Sequence, residues 1–129
     1  MKTLLKNALV VTMNANEEVY SEGSVLVEDD KISKIGHFEL KEDVDEVIDC
    51  KGKIIMPGLV NTHVHTSQQL GRGLGDDVNL LTWLHDRIWP YESNMTEEDS
   101  YMSTLATCLE LIRSGVTSFA EPGGQFVSG

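Results

Sequence analysis

Apolar residues come in short, β-like runs up to Met56 and in longer, differently spaced runs after it. Residues 4–13 form a β-branched and apolar run, and residues 24–28 alternate around Val25 and Val27. Asp29-Asp30 supplies a turn before residues 31–35, so these last two segments predict a β-hairpin. Residues 44–50 and 54–56 predict two more short strands on either side of the turn-prone Lys51-Gly52-Lys53. Together they imply a small antiparallel sheet or half of a β-sandwich, with polar, acidic loops at 14–18 and 37–43 facing solvent.

Pro57-Gly58 punctuates the chain, and the pattern behind it changes. Residues 59–65 predict a compact strand, 66–79 a glycine-rich loop, and 80–89 a short helix ended by Pro90. A longer helix is predicted over 97–114. Thr96 is its N-cap, Glu97 and Glu98 lie in the first turn where the helix dipole favours negative charge, and Gly115 stops it. Spacings of three to four mark Tyr101, Leu105, Cys108 or Leu109, and Ile112 as its buried face. Residues 116–120 predict the next strand. Strand, helix and strand in this order imply a βαβ unit with parallel strands and a right-handed crossover, hence an α/β fold class. The division falls between 1–56, a β-rich part, and 57–129, an α/β part.

Composition narrows the partners. At 40% hydrophobic and 24% charged, the 129-residue chain is too apolar for a disordered acidic tail. Its net charge is -11, with seven cations against twelve acids up to Met56 and three against nine beyond. A chain this acidic throughout, with scattered cations, repels phosphate backbones and anionic lipid, so neither nucleic acid nor a membrane surface is expected as a partner. Near the amino terminus the apolar run shrinks to Ala8–Val11 before Thr12, too short for a signal peptide, and the expected location is cytoplasmic. Cys50 and Cys108 lack any CxxC or zinc-finger spacing and are expected to be reduced and structural.

His63 and His65 are the sharpest chemical signal. Two apart on a predicted strand, both side chains leave the same face, and a rise near 3.3 Å per residue puts their Cα atoms about 6.5 Å apart. Two imidazoles at that span can close on one metal ion, at the carboxy-terminal strand end where parallel α/β folds place ligands. A bare HxH also fits two ordinary polar residues at a strand end.

The surrounding residues decide between these readings. Ile54-Ile55-Met56-Pro57-Gly58-Leu59-Val60-Asn61-Thr62-His63-Val64-His65 resembles the signature of the amidohydrolase superfamily. The likeness continues through Gly71-Arg72-Gly73, Trp83-Leu84, Trp89-Pro90-Tyr91-Glu92 and 115–121, and so covers the whole chain. Within that superfamily the chain is similar to the branch of S-adenosylhomocysteine and methylthioadenosine deaminases, with the s-triazine hydrolases as close relatives. The resemblance implies a small β-sandwich leading into a (β/α)8 barrel, both incomplete here, since a complete barrel needs about 200 residues or more. It implies His63 and His65 as ligands of one zinc or iron ion that makes a bound water acidic. That water attacks an electron-poor ring carbon and releases ammonia, or chloride in the triazine relatives. The remaining ligands and the proton shuttle come from later barrel strands, so this chain carries no complete catalytic set. The complete enzyme is expected to be a homo-oligomer acting on a small molecule.

The resemblance also implies substrate contacts. Glu92, behind a lid helix, corresponds to a glutamate that accepts hydrogen bonds from ribose hydroxyls; otherwise it is an exposed loop charge. Trp83 and Trp89 line the pocket or pack in the core. Gln68, with Gln69, reads a heterocycle edge or is solvated. Glu121, at the end of the second barrel strand, touches substrate, supports the metal site, or is a surface carboxylate. His85 is a lone helical histidine within reach of a substrate or solvent. The run 71–75 lacks the Lys-Ser or Lys-Thr of a phosphate loop and meets Asp76 and Asp77, so a lid hinge is the better expectation. Glu92 favours a ribosyl purine over a triazine, which offers no diol. Two alternatives stay open: a triazine amidohydrolase or chlorohydrolase, and a non-catalytic fragment associating through exposed strand edges.

Overall fold

Strand β1 (Lys2–Val11) is the spine of the amino-terminal part, because strands pair with it on both edges. In the computed structural model, which describes residues 1–123, the chain divides into two units, Met1–Pro57 and one beginning at Gly58. In the first, β2 (Val19–Glu28) pairs antiparallel with β1 and β3 (Lys31–Gly36) antiparallel with β2. The β2–β3 hairpin turns at Asp29, whose positive φ of 55° is one that a short polar side chain tolerates better than most. On the other edge of β1, β4 (Glu46–Asp49) and β5 (Ile54–Ile55) lie end to end, both parallel to it. The sheet is therefore single and mixed, where the sequence pattern suggested antiparallel pairing. Lys51 and Gly52 supply the turn between β4 and β5, but its job is to step the chain along one edge rather than to reverse it. Ala8, Val10, Val25 and Cys50 form the buried core, with Leu5, Tyr20, Val27 and Ile55 packed against them. Both cysteines are free.

The second unit is built on two parallel strands, β6 (Leu59–Asn61) and β7 (Val116–Phe119). Their close approach has a local cause: the Thr117 side chain occupies the space that a Cβ on Gly58 would need. Between them run a 3₁₀ turn (Thr66–Gly71), α1 (Leu80–Trp83), a π-helical turn (Leu84–Ile88), α2 (Trp89–Ser93) and α3 (Glu97–Arg113). Asn79 caps α1 by accepting the Thr82 N–H. Pro90, expected to end the helix, lies inside it. The N–H of Trp89 reaches back five residues to the C=O of Leu84. This wider turn makes room for a ring that would otherwise press on the carbonyl four residues earlier.

Helix α3 begins at Thr96, which accepts the Asp99 N–H while the Asp99 carboxylate accepts the Thr96 N–H, a reciprocal capping box. Hydrogen bonds from Thr96 hold the Asp99 carboxyl below its ordinary range. The expected buried face is not the buried one. Tyr101, Leu105, Leu109 and Ile112 are exposed, whereas Ser100, Ser103 and Thr107 are buried. The apolar stripe exists at the predicted spacing, but within the described residues α3 packs through its small hydroxyl-bearing side against the 3₁₀ turn. Leu59, Val60 and Phe119 are likewise exposed on the two-stranded sheet. No helix among the described residues is long and apolar enough to cross a membrane.

The cap yields a stability prediction. Thr96→Ala removes the acceptor for an otherwise orphaned N–H and should destabilise the protein by about 1 kcal/mol, whereas Thr96→Ser should be near neutral. Denaturant unfolding of the three proteins checks this.

Candidate functional site

The two histidines follow β6 rather than lying on it, because the strand ends at Asn61. Backbone pairing nevertheless carries on past that point: Ala120 N–H donates to Asn61 C=O at 2.9 Å and Val64 N–H to Ala120 C=O at 3.2 Å. The Asn61 side chain accepts the His63 N–H at 3.1 Å and fixes the step out of the strand. His65 has extended dihedrals (φ −99°, ψ 93°), and the rings of His63 and His65 stand with centres 5.0 Å apart and planes at 86°. Two imidazoles sharing one tetrahedral ion at metal–nitrogen distances of about 2.1 Å hold their ring centres roughly 5 Å apart, so the pair fits a common ion. Among the described residues no group of three or more His, Cys, Asp or Glu side chains is placed to hold a metal. The described residues thus offer two candidate ligands.

Glu121 stands beside them at the end of β7. One carboxylate oxygen accepts the Thr66 N–H at 2.6 Å, and the other accepts the Gly123 N–H at 3.2 Å. That second oxygen also lies 3.8 Å from Nδ1 of His65.

A cavity of about 540 Å³ opens next to His65. Gln68 and Glu92 supply its polar wall, and Trp83, Leu84, Ile88 and Trp89 its apolar one. Gln68 Nε2 donates to Glu92 Oε1 at 2.8 Å, which orients the carboxylate, and among the described residues Oε2 accepts no hydrogen bond. Trp83 is held by a glycine: its indole fills the space that a Cβ on Gly75 would need. His85 stacks edge-on against Trp89 with ring centres 4.4 Å apart and does not line the cavity. Gln69 turns the other way, its side-chain oxygen accepting from Arg72, which is itself paired with Glu110 of α3 at 2.8 Å. The Arg72 guanidinium holds the Glu110 carboxyl below its usual range. The glycine-rich run 71–75 is therefore pinned from two sides, by Arg72 and by Trp83 on Gly75. Tyr91, partly buried behind Glu92, donates to the Ser67 C=O at 3.5 Å, and burial pushes its hydroxyl pKa up.

Sequence reasoning missed the hydroxyl groups behind the histidines. Thr66 is buried, and its C=O accepts hydrogen bonds from Ser103 at 3.2 Å and Thr107 at 2.9 Å. The available signal was the repetition of Ser100, Ser103, Thr104 and Thr107 along one helix, where such residues are neutral at best unless their side chains find partners.

The amidohydrolase family pattern matches residues 54–125, from β5 through both histidines and past Glu121. The chain belongs to the amidohydrolase family. It is 50% identical over 118 residues to a 5'-deoxyadenosine deaminase of Methanosarcina mazei, a match covering 92% of this chain and 27% of that protein. It is also 50% identical over 123 residues to a 5-methylthioadenosine/S-adenosylhomocysteine deaminase of Bacillus cereus, covering 94% of this chain and 28% of that one. The chain thus spans about a quarter of the length of the curated relatives it matches. Among solved structures, the atrazine chlorohydrolase of Arthrobacter aurescens complexed with zinc superposes with a TM-score of 0.83 at 24% identity, over 92% of this chain and 28% of that one. The guanine deaminase of C. acetobutylicum with bound guanine superposes at 0.77 and 24% identity, over 94% and 30%. At that identity the structural likeness speaks for the fold.

The two-ligand geometry predicts metal behaviour. The 129-residue chain alone should lose zinc to a chelating resin, because structural and catalytic sites need three or four protein ligands. Retention of one zinc per chain after such treatment, read by elemental analysis, would contradict the two-ligand account.

Proposed function

We propose that this chain is the opening portion of a metal-dependent deaminase that hydrolyses the amino group of adenine nucleosides altered at the 5' position, of the 5'-deoxyadenosine, methylthioadenosine or S-adenosylhomocysteine kind. The observation that carries the reading is the placement of Glu92 and His65 on the walls of one cavity. In this reading residues 1–56 belong to a β-sandwich, and β6 and β7 open a (β/α)8 barrel whose later strands complete the ligand set. Identity of 50% to two deaminases of this kind supports it.

His63 and His65 would hold the metal, zinc or iron. A divalent ion there supplies a water acidic enough to attack at neutral pH. Water oxygen replaces the exocyclic amino group on the purine ring, and ammonia leaves. The chain's own residues bind and orient. Glu92 accepts hydrogen bonds from the ribose hydroxyls, using Oε2 and the remaining lone pair of Oε1, while Gln68 keeps the carboxylate in place. Trp83 and Trp89 present flat apolar surface to the purine and exclude water from its face. The charge of -11 suits a small neutral or cationic substrate rather than a nucleic acid.

Glu92 separates this reading from a triazine hydrolase. In the polypeptide encoded by the complete reading frame, Glu92→Gln should lower kcat/KM for 5'-deoxyadenosine and methylthioadenosine by roughly 5- to 150-fold, matching about 1 to 3 kcal/mol for a lost charged hydrogen bond. Activity on a diol-free ring such as a triazine should change little. Equal loss on both substrate types would remove the nucleoside assignment.

A further inference from the structure

Thr66 directly follows the candidate ligand His65, and every polar group it has is engaged by another element. Its N–H donates to Glu121 at 2.6 Å, its C=O accepts from Ser103 at 3.2 Å and from Thr107 at 2.9 Å, and its hydroxyl accepts from Thr104 at 3.2 Å. Ser103 is fully buried, and Thr66 and Thr107 are nearly so. The Ser103 hydroxyl also accepts the Leu70 N–H at 3.3 Å, so its own proton is directed at Thr66. The peptide groups on either side of the Thr66 Cα are thus each held, the one shared with His65 through its N–H and the next through its C=O, and neither can rotate without leaving a polar group unpaired, at substantial cost.

We infer that Glu121, Ser103 and Thr107 are positioning residues for the metal ligand His65, an inference that rests on the proposed role of the histidine pair. They act on the imidazole in two ways. The hydroxyls of α3 fix the backbone immediately after His65 and thereby the direction in which its side chain leaves. The carboxylate of Glu121 faces Nδ1 of the ring at 3.8 Å, and an approach of about 1 Å makes it the acceptor of the Nδ1–H. A carboxylate acceptor on one ring nitrogen selects the tautomer whose other nitrogen, Nε2, is free for a metal, and strengthens it as a ligand. Because the same carboxylate takes the Thr66 N–H, both effects meet in a single side chain. The large hydroxyl content of α3's packed face then has a purpose that apolar packing would not serve: it grips a main-chain carbonyl, which methyl groups cannot do.

The test uses the polypeptide encoded by the complete reading frame, stripped of metal and titrated with zinc against a competing chelator, with cobalt(II) absorption as a second readout of the coordination sphere. Glu121→Gln keeps an acceptor for a backbone N–H but removes the charge facing the imidazole, and should weaken zinc binding 10- to 100-fold and alter the cobalt spectrum. Thr107→Val should also weaken zinc binding, and Thr107→Ser, which restores the hydroxyl, should bring it back. Zinc affinity in Glu121→Gln within twofold of the parent protein, with an unchanged cobalt spectrum, overturns the inference. Should Thr107→Val fail to fold, Glu121→Gln decides alone. His65→Ala separates the two levels: zinc bound as tightly in that variant as in the parent refutes the ligand assignment itself, whereas loss in His65→Ala without loss in Glu121→Gln refutes only the positioning role.

Discussion

Parallel pairing of β6 with β7 is the constraint from which the rest of the carboxy-terminal unit follows. Two parallel neighbours cannot be joined by a tight turn, so the chain must travel the length of the strands and return before pairing again. Here that detour runs from Thr62 to Gly115, and it holds both histidines, Gln68, both tryptophans and Glu92. The strands themselves contribute little chemistry; what they fix is where the detour begins and ends. Asn61 and Ala120 exchange the last ladder bond, Val64 is held by the next, and Glu121 then arrives opposite Thr66. Two residues 55 apart in sequence are brought together by register alone.

Much of this was legible beforehand, for identifiable reasons. Periodicity located β2, β3, α3 and β7, and the N-cap at Thr96 was written in residue types that act locally, although the reciprocal bond from Asp99 was not foreseen. The pairing of His63 with His65 depended only on extended backbone, and it survived although the strand stops two residues earlier. What sequence could not provide were long-range choices. That β4 and β5 share one edge of β1 in parallel depends on which partners are within reach, and no local pattern encodes it. The packed face of α3 misled for a related reason. Hydrophobic spacing reports which side of a helix gains most by burial, whereas the side packed here is chosen by a carbonyl needing donors. Pro90 misled because a proline rule for regular helices does not anticipate a widened turn.

The cavity combines two kinds of constraint. Its polar wall, Gln68 with Glu92, depends on one hydrogen bond between segments 24 residues apart, and its apolar wall depends on close packing of Trp83 where Gly75 leaves room. Apolar residues of β6, β7 and α3, among them Leu59, Val60, Phe119, Leu105 and Leu109, are exposed.

The π-helical turn at Leu84–Ile88 has a consequence for how this segment can change. A helix advances roughly 100° per residue, so Trp83 and Glu92, nine positions apart, would point to nearly opposite sides of an unbroken α-helix. The widened turn takes up an extra residue and slows that rotation, which lets both side chains border one cavity. It works as a phase shifter between two short rods. Removing a single residue from it would restore a regular α-helix with Trp83 and the glutamate eight steps, roughly 80°, apart and so keep their phase, whereas regularising the turn at its present length would carry the carboxylate to the far side of the rod. In this stretch the count of residues matters more than their identity.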